Sequence, residues 1–253
     1  MAMTRRRKVM ILALALYWPV LFVLAHIPVP SVVREANVSD KGLHFLAYAI
    51  LTFLLWSVVR PESKVEWRRA SSWLVLAAVT VYGFADEGLQ YFVPGRSADL
   101  KDIVADAAGA IVALGIRTFF SFWGTVAVLT AMTVYMLPVL ARQSLMGLLP
   151  VLTTVFYVGG YTLLTVLWVH CLRPLASPGK GGVAGLAMSV SGPFALLLAT
   201  TISAWAAGRP FGRWDMVAAA AGILAGIAGS QLSFALMGSE RPVEGIADEN
   251  QLP

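Results

Sequence analysis

Three groups of ionisable and hydrogen-bonding residues in the first half of the chain carry the chemistry this sequence can do. The first is Asp40, Lys41, His44 and Tyr48, where spacings of three and four put Lys41, His44 and Tyr48 on one helical face. The second is Asp86, Glu87 and Gln90, with Glu87 and Gln90 facing together three residues apart. The third begins at Pro94-Gly95-Arg96 and runs through Asp99, Asp102 and Asp106, a stripe of three carboxylates. Gly109 and Ala113 extend that stripe and would let a neighbouring helix approach closely.

Each group has more than one chemical use. Arg96 can fork two hydrogen bonds to a phosphate, Lys41 adds a point charge, and His44 can donate as well, so an anionic ligand is one candidate. The competing structural role is an internal salt-bridge network, with Arg96 paired to Glu87 or Asp99, because buried charges need partners. His44 can also act as an acid or base, with Glu87 or Asp102 setting its tautomer. No nucleophile motif, glycine-rich phosphate loop or His-Glu-x-x-His pattern accompanies it, so binding or shielding is expected ahead of catalysis. Finally, His44, Glu87, Asp99, Asp102 and Asp106 offer mostly oxygen ligands suited to magnesium, calcium or manganese. Arg96 and Lys41 would neutralise those carboxylates without an ion, and neither a metal nor a cofactor is expected.

The elements that must position these groups lie in lipid. Of 253 residues 58% are hydrophobic and only 13% charged, against about 25% charged in soluble domains; the mean hydropathy is +0.74. The single Cys171 excludes an intrachain disulfide. The net charge of +5 is scattered between apolar segments rather than gathered in a patch, which argues against a nucleic-acid partner. At about 20 residues per span, helices are expected near 9–27, 43–59, 71–92, 103–121, 124–141, 145–172, 183–207 and 216–237. Breakers such as Arg60-Pro61, Pro94-Gly95 and Arg209-Pro210 separate them. The run after Arg5-Arg6-Arg7-Lys8 exceeds a signal h-region and lacks an Ala-x-Ala-like site, so it reads as an uncleaved first span.

The expected fold is therefore all-α, a polytopic membrane helical bundle of about eight spans. Counted on alternate sides, twelve Lys and Arg face seven, with the excess on the N-terminal side. Positive residues are retained in the cytoplasm, so both termini are expected there and the three polar groups near the outer face. From Thr125 to Ala207 the apolar segments are almost free of ionisable side chains. The second half carries small residues instead, Gly185, Ser189 and Gly192, then Gly222, Gly226 and Gly229, as expected for close helix packing. This divides the chain into a four-helix unit at 1–122, an appended apolar four-helix unit at 123–240 and a polar cytoplasmic tail at 241–253. His26 and His170 read as interfacial or packed residues, and most tryptophans lie near span ends, where indoles favour the interface.

The run Asp40-Lys41-Gly42-Leu43-His44-Phe45-x-x-Tyr48 is followed by Glu87-x-x-Gln90-x-x-x-Pro94-Gly95-Arg96-x-x-Asp99-x-x-Asp102 and by Gly109. Over roughly residues 9–117 this order of motifs resembles the VanZ-like family. The resemblance implies a four-helix unit of a bacterial cytoplasmic membrane, in a family named for a protein associated with resistance to the glycopeptide teicoplanin. Members commonly carry asparagine where this chain has Asp106, a departure that adds a carboxylate. The function expected is binding or shielding of an anionic cell-envelope component, linked to envelope homeostasis or antibiotic resistance. Membrane lipids, and a lipid-linked phosphate or cell-wall precursor, are the expected partners. A membrane-embedded enzyme and a lipid or proton transporter are the alternatives.

Overall fold

The computed structural model describes residues 3–27, 41–94, 96, 99–141, 150–172, 183–208 and 211–239. Among them are eight helices and no strand: α1 (Arg5–His26), α2 (Lys41–Val59), α3 (Ala70–Gln90), α4 (Leu100–Phe119), α5 (Phe122–Ala141), α6 (Pro150–Leu172), α7 (Val183–Ala206) and α8 (Arg213–Ser239). Expectations that fall on Asp40, Gly95, the connections at 28–40, 142–149, 173–182 and 209–210, and the tail 241–253 lie outside the described residues.

The molecule is a helical membrane bundle. Five helices, α1, α2, α6, α7 and α8, are long and apolar enough to cross a membrane. The charges of interest keep two others below that mark: α3 holds Asp86 and Glu87, and α4 holds Lys101, Asp102, Asp106 and Arg117. In a bilayer each backbone polar group must find a partner within the protein, and a helix hydroxyl can turn back to its own helix. Thr52, Thr165 and Ser230 accordingly return their hydroxyls to the carbonyl four residues back, each at 2.7 Å.

In the first half α2 is the central helix, burying Tyr48, Ala49, Thr52 and Trp56 among others. It packs along α4, and both start from the same end, so the pair is parallel. Gly109 fixes their approach: a Cβ there would overlap the Phe45 carbonyl oxygen, and Ala110 and Ala113 continue the contact fully buried. The close approach expected at Gly109 is thus present, against α2. By contrast α1 lies on the outside, with no buried residue and with Leu12, Leu16, Val20 and Leu24 all more than half exposed. The opposite end of the bundle is basic. There Arg6 meets Glu62 at 2.7 Å, Lys64 donates to the Phe119 carbonyl, and Trp67 donates to Thr118.

In the second half α6 and α8 meet through glycine. A Cβ on Gly222 would run into the Val158 carbonyl and one on Gly226 into Thr165, while Thr162 donates across to the Gly222 carbonyl at 3.1 Å. Gly192 of α7 lies under the Trp168 indole, whose Nε1 donates to the Met188 carbonyl. Gly229 has nothing within 4 Å and takes no part in this packing, unlike the expectation from its spacing. Helix α5 serves both halves. Phe122 and Leu129 join a core with Ala49, Phe53 and Ala113, whereas Val134 joins Tyr157, Tyr161 and Ala219.

Candidate functional site

The parallel α2–α4 pair builds a ladder of charged contacts. Lys41 Nζ lies 3.2 Å from Asp99 Oδ2 and 3.4 Å from Asp102 Oδ1. One turn further in, His44 Nδ1 lies 3.0 Å from Asp106 Oδ1. A step of three on α2 is matched by a step of four on α4, as neighbouring helix turns require. His44 thus meets Asp106, a carboxylate other than the Glu87 or Asp102 weighed from sequence as setting its tautomer. Tyr48 follows a turn below, its ring stacked at 5.8 Å on Tyr82 and its hydroxyl buried without a hydrogen-bond partner. Gly83 makes room for this layer, since a Cβ there would stand 3.1 Å from Asp106 Oδ2.

Helix α3 closes the cluster from a third side. Glu87 Oε1 accepts from the backbone N–H of Asp99, tying the end of α3 to the start of α4. Asp99 is itself the N-cap of α4, accepting from Lys101 N at 2.9 Å. That backbone donor, and then the Lys41 ammonium, hold the Asp99 carboxyl below the usual carboxylate range. Gln90 Nε2 donates to Asp86 Oδ2 at 3.0 Å, so Gln90 pairs with Asp86 by the i, i+4 relation rather than with Glu87.

Asp86 is the residue the sequence pattern placed beside the site without including it, and His26 is one it set aside. Asp86 is only 2% exposed, and the Tyr82 hydroxyl donates to its Oδ1 at 3.5 Å. His26 Nδ1 stands 3.8 Å from the same oxygen and 2.8 Å from the Phe22 carbonyl. A carbonyl only accepts, so Nδ1 of His26 carries a proton. The lone histidine four residues after an aromatic gave no sign of this role, because the carboxylate it approaches is sixty positions away.

Arg96 does not pair with Glu87 or Asp99. Its Nη2 donates to the Leu24 carbonyl at 3.1 Å, at the end of α1, and its Nε is buried without an acceptor. A cavity of about 330 Å³ opens here between α1 and α2. Leu21, Leu24, Leu43, Ala47 and Ile50 form its walls, and Asp86, His44 and Arg96 give it polar character. Lys41, His44, Tyr48, Glu87, Gln90, Arg96, Asp99, Asp102 and Asp106 thus all lie at one end of the four-helix unit, but His44, Tyr48 and Arg96 are the ones of these that reach the cavity. Among the described residues no group of three or more His, Cys, Asp or Glu is arranged to hold a metal ion.

A helical membrane protein whose ionisable groups converge at one end of its bundle is the class that fold and site define. Within that class, residues 8–121 match the family model described as VanZ/LLP1, and this N-terminal portion of the chain is similar to that family. No curated protein and no solved structure matches the chain.

Proposed function

We propose that the polar end of the VanZ-like unit faces outward from a bacterial cytoplasmic membrane and binds or shields an anionic cell-envelope component, a lipid-linked phosphate or a cell-wall precursor. Envelope homeostasis or resistance to a glycopeptide-type antibiotic is the role that would follow. The observation that carries this reading is Arg96: its guanidinium is held at the cavity by one carbonyl, with Nε unused and no carboxylate paired to it among the described residues. A guanidinium so placed retains donors for a phosphate or carboxylate. The Lys and Arg excess at the other end of the helices favours that end as cytoplasmic. Residues 1–122 and 123–240 are read as a ligand-binding unit and an appended apolar unit.

Equilibrium binding of a polyprenyl phosphate to the purified full chain tests the reading. Saturable binding that weakens about tenfold or more in Arg96→Ala is expected, the loss of one charge-assisted contact being worth about 1.4 kcal/mol or more. Equal binding by the variant would overturn it.

The His44–Asp106 pair favours a second reading, since an imidazole oriented by a buried carboxylate on a cavity wall is an acid–base arrangement. Turnover of a lipid-linked substrate that disappears in His44→Ala would establish the enzyme; binding without turnover would exclude it.

A further inference from the structure

The cavity between α1 and α2 holds two charges of opposite sign that are not joined to each other. Asp86 is buried and has no lysine or arginine partner among the described residues; its neighbours are the Gln90 amide, the Tyr82 and Tyr48 hydroxyls and His26. The proton on His26 Nδ1 is already directed to the Phe22 carbonyl. Arg96 has no carboxylate partner there either. A buried carboxylate without a cation is costly in a low-dielectric setting, and half-buried Arg96 keeps its Nε out of water without an acceptor. Two such groups on one cavity are complementary to a ligand that itself carries both charges.

The rest of the cavity says what that ligand is attached to. Its walls are hydrocarbon from α1 and α2, and α1 stands on the lipid-facing side of the bundle with Val20 and Leu24 exposed. A volume of this size would take about ten waters at liquid density, yet such walls give them few partners, and a hydrocarbon chain needs none. Lipid tails are as apolar as leucine, so a chain gains little by leaving the bilayer for this slot. The selectivity must then come from the head group.

We infer that the α1–α2 cavity binds a lipid with a dipolar head group, its phosphate or carboxylate against Arg96, its primary ammonium against Asp86, and its chain along Leu21, Leu24 and Ala47. The inference rests on the anion-binding reading and adds to it a cationic group and a lipid tail. A carboxylate has about four acceptor sites, so Asp86 retains a lone pair beside the Gln90 and Tyr82 donors and the Tyr48 hydroxyl, and an ammonium brings N–H groups to meet it.

The test uses the purified full chain in nanodiscs and photoactivatable phospholipids with a diazirine in the acyl chain. Phosphatidylethanolamine is compared with its N-acetyl derivative, which keeps the phosphate and tails but loses the positive charge, and with phosphatidylglycerol. The expected result is capture of phosphatidylethanolamine about fivefold above both, with crosslinks mapping to α1 and α2. Asp86→Asn should abolish that preference while leaving capture of phosphatidylglycerol unchanged, and Arg96→Gln should lower capture of all three. Ala47→Phe should block the slot and lower all three as well. Equal capture of phosphatidylethanolamine and its N-acetyl derivative by the wild-type protein would overturn the ammonium contact whether or not any variant folds. Undiminished capture in Ala47→Phe would overturn the chain slot. Phosphatidylglycerol capture that survives Arg96→Gln would instead count against the anion-binding reading beneath both.

Discussion

His44 Nδ1 and Asp106 Oδ1 lie 3.0 Å apart although sixty-two positions separate them, and Asp106 is 1% exposed on its side chain. The pair joins α2 to α4 inside the bundle. Because the histidine donates through Nδ1 to the carboxylate, the orientation of the ring toward the cavity is set by a residue that does not line the cavity.

Removing Asp106 should therefore do more than delete a charge. Asp106→Ala leaves His44 without its acceptor and opens space beside Gly83 and Tyr48, with an expected loss of about 3 kcal/mol. Asp106→Asn keeps an acceptor of nearly the same shape and should cost about 1 kcal/mol. Thermal unfolding followed by fluorescence in detergent, with both variants compared to the parent, checks the order; equal losses would show that the carboxylate charge, which both variants remove, and not its shape holds the ring.

Glycines of similar sequence context should respond in opposite ways. Gly109→Ala places a methyl against the Phe45 carbonyl, a backbone atom that cannot rotate aside, and is expected to destabilise by about 2 kcal/mol. Gly229→Ala meets nothing within 4 Å and should be neutral or stabilising by up to about 1 kcal/mol through helix propensity. Melting temperatures of the two single variants decide the matter.

The Lys41–Asp99 contact has a defined pH window. The folded-state carboxyl of Asp99 titrates below its unfolded value, so its stabilisation is present above about pH 4 and is lost as pH falls through the lower, folded value. The gap in melting temperature between the parent and Asp99→Asn, a substitution that preserves a good N-cap, should be constant from pH 8 to pH 5 and shrink only below about pH 4. A gap that changes around neutral pH would point to a histidine instead.

Orientation can be read with single cysteines in a Cys171→Ser background. Asp99→Cys and Lys101→Cys sit at the polar end, and Glu62→Cys at the basic end. An impermeant thiol reagent added to intact cells should label the first two and leave the third untouched until the membrane is opened. The reverse pattern would place the carboxylates in the cytoplasm.

Much of this arrangement is legible in the sequence because hydrophobic length fixes spans and charges mark their ends. The helices expected near 43–59, 71–92 and 183–207 are observed at 41–59, 70–90 and 183–206. The convergence of Lys41, Asp99 and Asp102 also follows from their depth. What periodicity does not carry is which helices are neighbours and in what register. Glu87 and Gln90 share a face by spacing, yet once α1 packs beside α3 it is Asp86 that meets Gln90 and His26, while Glu87 turns to the start of α4. Arg96 followed the same logic, finding a carbonyl of α1 rather than the acids beside it in sequence.

Helix α5 begins one residue after the family match ends, and it contributes residues to two different cores. A fragment stopped at residue 121 would leave Phe53 and Ala113 bare where Phe122 and Leu129 had covered them, and one begun after α5 would strip Tyr157 and Tyr161 of Val134. During synthesis the first four helices consequently wait, partly unclothed, until the fifth is inserted. Once it has docked, it is held in place by what comes after it, so damage to the apolar half should be felt as loosened packing at the far side of the molecule.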